Sequence, residues 1–489
     1  MALSNPSGAI DSKNEVPASA TEPEAGTGGG EVFSVFTPWQ KRWICFAASF
    51  AGMFSTMSSY IYYPALVPVS LELGVSLFLV NLTVTCYLVV AGIAPAFMGD
   101  MADQSGRRPV YMLMFSLMIG ANIGIALQKS YPALFVLRML QSAGSSGLYG
   151  AAYGVISDFA TVEERGNYVG ALLLMTDIAP SLGPVIGGSI TQQVGWRWIF
   201  WFLVIMTGTH FIAMLLFFPE TQRRIVGNGS AKVRGVYWSF FSARNRGCGS
   251  QNGQVRFPNP LSCLEILSHK GSLAVIMITA VTYAVKMALQ TSLSAQCVEI
   301  YNLNYLVAGL IYLPSGIGGG VASYLTGQYI DWTYRGRVKH LQDEGSSYDG
   351  SASPDFPLEK TRLKGIYVLI TISALGTLGY GLALMTRTHI SVVLIMQFLT
   401  GSTTASTFTM CGTLLTDLNI NKSATAQAAS NLVRCLSAGA AIAALQPLVD
   451  AAGPAWCFAV YAIVVLLEVP LVWLLQQRGV RWRRAQCAA

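Results

Sequence analysis

Five ionisable residues stand inside otherwise apolar runs of this 489-residue chain: Arg138, Asp177, Lys286, Arg434 and Glu468. An ionisable side chain costs about 2.5–3.5 kcal/mol at the centre of a membrane helix on insertion scales, so each is a candidate for function. Two chemistries suit the set. The guanidinium of Arg138 and the ammonium of Lys286 can replace the water around a carboxylate, the first as a planar fork and the second as a point charge. A carboxylate withdrawn from water can carry a proton near neutral pH, and Asp177 is the first candidate, Glu468 beside Pro470 the second. Gln290, Asn431 and the Ser/Thr run from Ser402 to Thr409 can orient a polar ligand. Each also has a plainer use: Arg138 or Lys286 can pair with Asp177, and Ser and Thr can glue helices together. His210 reads as a hydrogen-bonded interior histidine.

What positions these groups is a series of membrane-length apolar runs. Hydrophobic residues make up 53% of the chain and charged residues 11%, against about 25% charged in soluble domains; mean hydropathy is +0.48. A helix needs about 20 apolar residues to cross a bilayer, and twelve runs qualify: 43–68, 77–98, 110–128, 132–156, 167–190, 196–218, 272–298, 304–330, 365–386, 390–415, 424–450 and 454–476. The fold class expected is an all-α membrane protein of twelve transmembrane helices. Two six-helix halves, 39–218 and 271–478, flank a basic linker, 219–270, with an N-terminal tail over 1–38 and a C-terminal tail over 479–489. Placing both tails and the linker in the cytosol puts 25 of the 31 Lys and Arg there, as the positive-inside rule requires.

The net charge of +7 is spread over loops, which gives no basic face for nucleic acid. Nine cysteines form no CxxC pair and no His stands at ligand spacing, so neither a metal nor a disulfide framework is read. No Walker, HExxH, GxSxG or strand-borne GxGxxG sequence occurs, and neither ATP-driven pumping nor a common enzyme class is expected, nor any cofactor. An internal echo supports the division into halves: GDMADQSGRRP (Gly99 to Pro109) and GQYIDWTYRGR (Gly327 to Arg337) both place Asp four residues after Gly, ahead of a basic cluster. Repeated halves around a midplane site are common in secondary transporters.

The first of these runs, with Gly99, Asp103, Gly106, Arg107 and Arg108, resembles the signature between helices 2 and 3 of the major facilitator superfamily. Gly170, Ala179, Gly183, Pro184, Gly187 and Gly188 resemble the antiporter motif of drug:proton antiporters, with Ala179 where the family has Gly. Arg138 and Gln141 in LFVLRMLQSAGSSG, the PETQRRIVGNGS run, Asp355-Phe356-Pro357 and Asn431-Leu432-Val433-Arg434-Cys435 are similar to the fungal twelve-helix group that includes citrate exporters. The resemblance implies a major facilitator fold in which helices 1, 4, 7 and 10 line a cavity and helices 2, 5, 8 and 11 form the moving interface. It implies a cytosolic latch at Asp103 and Arg107 or Arg108, and a substrate site drawn from Arg138, Lys286, Gln290, Asn431 and Arg434. The function implied is proton-coupled export of a small organic molecule, an organic acid or acidic secondary metabolite, by a monomer in a fungal plasma membrane. Polyspecific drug export, proton-coupled uptake and a non-transporting membrane receptor stand as alternatives.

Overall fold

The computed structural model describes residues 34–160, 162–229, 235–241, 262–343, 356–419 and 423–488. Most of the expected N-terminal tail, much of the linker, Asp355 and the side chain of Asp177 lie outside the described residues. The first part of the chain forms α1 (Pro38–Tyr60), α2 (Leu66–Leu73), α3 (Leu77–Ser105), α4 (Arg107–Leu127), α5 (Tyr131–Phe159), α6 (Val162–Val194), α7 (Arg197–Phe217) and the short α8 (Arg223–Val226). The remainder forms α9 (Ser262–Ser268), α10 (Lys270–Tyr301), α11 (Tyr305–Leu310), α12 (Leu313–Asp343), α13 (Leu358–Arg362), α14 (Ile366–Met385), α15 (Ile390–Leu418), α16 (Ser423–Leu466) and α17 (Glu468–Ala488).

Local chemistry sets several of these boundaries. Thr37 and Gln40 form a reciprocal capping box, Thr37 N–H donating to Gln40 Oε1 at 2.9 Å and Gln40 N–H to Thr37 Oγ1 at 3.4 Å, with Pro38 at the first helical position. Ser76 caps α3, and Asn304 caps α11 by accepting from Val307 N–H at 2.9 Å. Within the first part, α1 packs on α5 and α6, and α5 on α3 and α4; in the second, α10 packs on α15 and α16, and α14 on the same pair. The two parts meet along α3 with α16, and along α6 with α11 and α12.

Among the described residues, nine helical segments are long and apolar enough to cross a bilayer. Two further helices, α5 with 29 residues and α6 with 33, are longer than a span requires but carry polar residues such as Arg138, Gln141 and Asp177. One of the nine segments, Thr425–Arg484, is 60 residues long, and its helical geometry breaks at Gly453 (φ 80°, ψ 166°), a left-handed φ that favours glycine. Three local features differ from the sequence expectation. Residues 99–105 are not a loop, because α3 runs to Ser105 and only Gly106 separates it from α4. The second echo, 327–337, lies inside continuous α12. The C-terminal segment from 479 continues α17 instead of leaving it as a tail.

Candidate functional site

At the end of the bundle that carries Gly106, the charges of the first part close on one another. Arg107 donates to Asp103 (Nη2–Oδ1 2.6 Å) and to Asp158 (Nε–Oδ2 3.1 Å), and the Thr221 hydroxyl donates to the same Asp158 oxygen at 3.2 Å. Glu220 places its carboxylate on the first turn of α4, accepting from the N–H groups of Arg107 at 2.9 Å and Arg108 at 3.1 Å, and from those of Thr221 at 3.0 Å and Gln222 at 2.9 Å. A carboxylate at a helix N-terminus satisfies donors that the helix cannot. Burial, the largest effect, raises the pKa of Glu220 above its usual value, while the N–H groups oppose that rise. Gly106 makes this approach possible: its φ is 99°, and a Cβ there would stand 2.6 Å from Glu220 Oε2. Arg108 turns the other way, donating to the carbonyls of Val236 at 2.9 Å, Leu215 at 2.5 Å and Phe218. Every partner so described for Asp103, Arg107 and Arg108 lies in the first part of the chain or in the linker segment just after it. An ideal Cβ at Gly99 meets nothing within 4 Å.

The second part rebuilds this triad with a different cation. Arg362 of α13 lies between Asp331 (Nη1–Oδ1 3.6 Å), the aspartate of the echoed sequence, and Asp417 (Nε–Oδ2 2.8 Å) at the end of α15. Asp158 occupies the matching place at the end of α5. Arg483 of α17 donates to Glu359 at 3.0 Å and to the Phe356 carbonyl at 2.7 Å, tying the C-terminal helix to this cluster.

Deeper in the bundle, Arg138 is completely buried, sandwiched between the rings of Tyr62 (4.3 Å) and Tyr87 (4.5 Å). It donates to Gln141 Oε1 at 2.5 Å, Gln141 donates to Asn122 Oδ1 at 2.6 Å, and Arg138 Nε and Nη2 have no hydrogen-bond partner. Arg434 lies where the two parts meet and keeps partial exposure. Its guanidinium faces Tyr283 (4.8 Å) and Phe408 (5.4 Å), and Nη2 donates to Asn431 Oδ1 at 2.7 Å. Asn431 in turn donates to the Ala91 carbonyl of α3 at 3.1 Å, bridging the two parts. Tyr60 and Tyr149 share the electrostatic neighbourhood of Arg434. Lys286 stands on α10 with partial exposure, one turn past Thr282. Gln290 is buried, donating to Ser315 Oγ at 3.0 Å.

Glu468 is buried, accepting from the Thr282 hydroxyl at 2.8 Å. Asp177 lies one helical turn before Ser181 on α6. His210 is buried among Phe50, Phe54 and Phe115, with Nε2 at 3.1 Å from the Ala47 carbonyl. Tyr60, Tyr62 and Tyr63 stand where α1 ends and the chain turns. All three are buried, because the short 3-10 turn Tyr63–Ala65 carries the chain into the core and Tyr63 stacks on Tyr312 at 6.1 Å.

The antiporter-like glycines explain how the opposite end is shut. A methyl group at Gly187 would collide with the Ile61 carbonyl, one at Gly188 with the Tyr305 carbonyl, and one at Gly309 with the Pro184 carbonyl. Ser181 of α6 and Gly316 of α12 are in contact a turn or two further in. Eleven residues beyond that pair, three helical turns along the same faces, Gly170 and Gly327 meet nothing within 4 Å. The two parts therefore press together at Gly188 and diverge towards Gly106. Residues 48–341 match the sequence profile of the Major Facilitator Superfamily. The chain belongs to this superfamily.

Among relatives, the MFS-type transporter phiD of Fungal sp. is 37% identical over 463 residues, covering 92% of this chain and 70% of its own. Citrate exporter 1 of Aspergillus niger is 34% identical over 465 residues, 92% of this chain and 88% of that one. The xylose transporter XylE from E. coli, in a partially occluded inward-open conformation, superposes with a TM-score of 0.61 at 13% identity, covering 90% of this chain and 98% of the other. This major facilitator is a multi-pass membrane transporter of small molecules and not an enzyme. Its sequence singled out Arg434 and Asn431 together, but not Glu220, Asp158, Tyr283 or Phe408. Glu220 sat in plain view in the PETQRR run; the aromatic partners of Arg434 come from distant helices, and no spacing reveals them.

Proposed function

We propose that this transporter exports a small organic anion in exchange for protons by alternating access. Twelve spans in two six-helix halves, 39–218 and 271–478, carry out the cycle, with the linker 219–270, both termini and the Gly106 end in the cytosol of a fungal cell and the protein in its plasma membrane. The lengths of α5 and α6 and the break at Gly453 support the count of twelve.

The observation that carries the substrate class is the guanidinium of Arg434. Arg434 as a whole is partly exposed at the junction of the halves; its guanidinium is held from one side by Asn431, and its buried Nε lacks a hydrogen-bond partner. Such a group binds a carboxylate at the cost of little reorganisation. Lys286 and Gln290 on α10 complete the site, and citrate export by the Aspergillus niger relative agrees with an acidic cargo. Arg138 stands on the same face of α5 as Tyr149, three turns nearer the shut end, so a substrate reaches it once that end opens. Asp177 on α6 and Glu468 on α17 are the proton carriers, the latter accepting a hydrogen bond from the Thr282 hydroxyl of α10.

The rings around Arg434 favour a second reading, a polyspecific drug:proton antiporter, because stacked aromatics also accept cationic dyes. Competition binding to purified protein separates the two. Citrate should bind wild type, with affinity falling about 10- to 100-fold in Arg434→Gln, since a hydrogen bond to a charged group is worth about 1.5–3 kcal/mol. Dye binding that is equal in both chains, with no citrate binding to either, would favour the second reading.

A further inference from the structure

The first described stretch of the linker after α8, Gly235–Phe241, faces the wrong way for a segment surrounded by water. Val236, Trp238 and Phe240 are exposed by 55%, 43% and 54%, whereas Ser239 is fully buried and Tyr237 half-buried. Gly235–Tyr237 forms a short 3-10 turn and the chain runs on to Phe241 without regular structure, with exposed and buried side chains alternating along it. Here the polar side points into the protein and the apolar side out of it, the reverse of a solvated loop.

The segment is also firmly seated. Tyr237 donates its hydroxyl to the Ser105 carbonyl at 2.9 Å, Phe240 N–H donates to the Leu216 carbonyl at 3.0 Å, and Arg108 donates to the Val236 carbonyl at 2.9 Å. Its rings continue an aromatic cluster at the ends of two spans: Phe240 and Phe241 on Phe217 of α7 at 5.8 and 6.0 Å, Phe241 on Trp39 of α1 at 6.0 Å, and Trp43 on Phe217 at 6.3 Å. Helices α1, α4 and α7 are each part of membrane-length apolar segments, so a segment pinned to their ends lies at the level where hydrocarbon gives way to headgroups.

From this placement we infer that Gly235–Phe241 is an in-plane membrane anchor, with Val236, Trp238 and Phe240 inserted among lipid headgroups. Aromatic side chains favour that depth because their rings are apolar and their edges polar. The occupant of the exposed face is the bilayer, by continuity with the spans on either side. The anchor also gives the linker a mechanical role. Its Val236 carbonyl holds Arg108, and Tyr237 holds the last turn of α3, so the lipid-held segment is tied to the Gly106 cluster.

The test places a nitroxide at Val236→Cys, Trp238→Cys and Phe240→Cys in turn, in a chain with Cys248, Cys263 and Cys487 changed to Ser, reconstituted in phosphatidylcholine–phosphatidylglycerol vesicles. Collisions with oxygen should exceed those with a water-soluble nickel chelate at all three positions, as for a group about 5–10 Å into the boundary region. Collisions dominated by nickel would place the segment in water, and weak collisions with both reagents would place it under protein; either result overturns the anchor. Should a labelled chain fail to fold, Trp238→Phe serves instead. Quenching of tryptophan fluorescence by shallow brominated lipid should fall measurably in that variant, and unchanged quenching would overturn the inference.

Discussion

At the scale of the residue, the proposed chemistry rests on two kinds of charge, those that hold the scaffold and those assigned to a substrate. Arg107, with two carboxylates on its guanidinium, and Glu220, with four N–H donors, are spent on structure. Gly106→Ala should lower stability by about 1–3 kcal/mol, because it imposes a left-handed φ on a side chain and drives a Cβ into Glu220; a thermal melt in detergent checks it, and an unchanged midpoint would contradict the packing. Glu220→Ala should slow transport while leaving substrate affinity within about twofold, since it frees the first turn of α4 without touching Arg434. Equilibrium binding beside flux separates those effects. The ionisable residues in apolar runs were legible from composition, but their neighbours were not. Arg138 and Arg434 look alike in the sequence, yet one is sealed between two tyrosines and the other faces the junction, because burial depends on which helices meet and not on the run a residue occupies.

At the scale of the element, the spans were legible because hydrocarbon demands long apolar helices. Their ends were less so, since turn chemistry and tertiary contacts decide them. Gly106 alone separates α3 from α4, and α17 runs on past 479 because Arg483 finds Glu359. The close-packed glycines of α6 and α11 make a prediction about motion. Gly188→Val should prevent the Gly188–Tyr305 approach and bias the molecule towards opening at that end, which closes the opposite one. In the double variant Gly170→Cys/Gly327→Cys, disulfide formation under mild oxidant should then rise severalfold when Gly188→Val is added. Equal yields with and without the added substitution would mean that α6 and α12 do not rock about this contact.

At the scale of the whole molecule, the proposed exchange cycle joins a bundle shut at Gly188, a cationic junction open towards Gly106, and carboxylates on α6 and α17. The orientation assigned to it predicts that a tag inserted between 242 and 261 is labelled only after the cells are permeabilised. Labelling in intact cells would reverse the map and turn export into uptake. The echo of Gly99 to Pro109 in Gly327 to Arg337 pointed to Asp331 as the counterpart of Asp103, although the cation that completes its triad, Arg362, stands well outside the echoed run. Citrate efflux from inside-loaded vesicles, oriented with the Gly106 end inside, tests the central claim most directly. Efflux should accelerate when the outside is made acid, lose that acceleration with a protonophore, and fall about tenfold or more in Arg434→Gln. Efflux that ignores the pH gradient, or that is matched in Arg434→Gln, would contradict proton-coupled export of an organic anion.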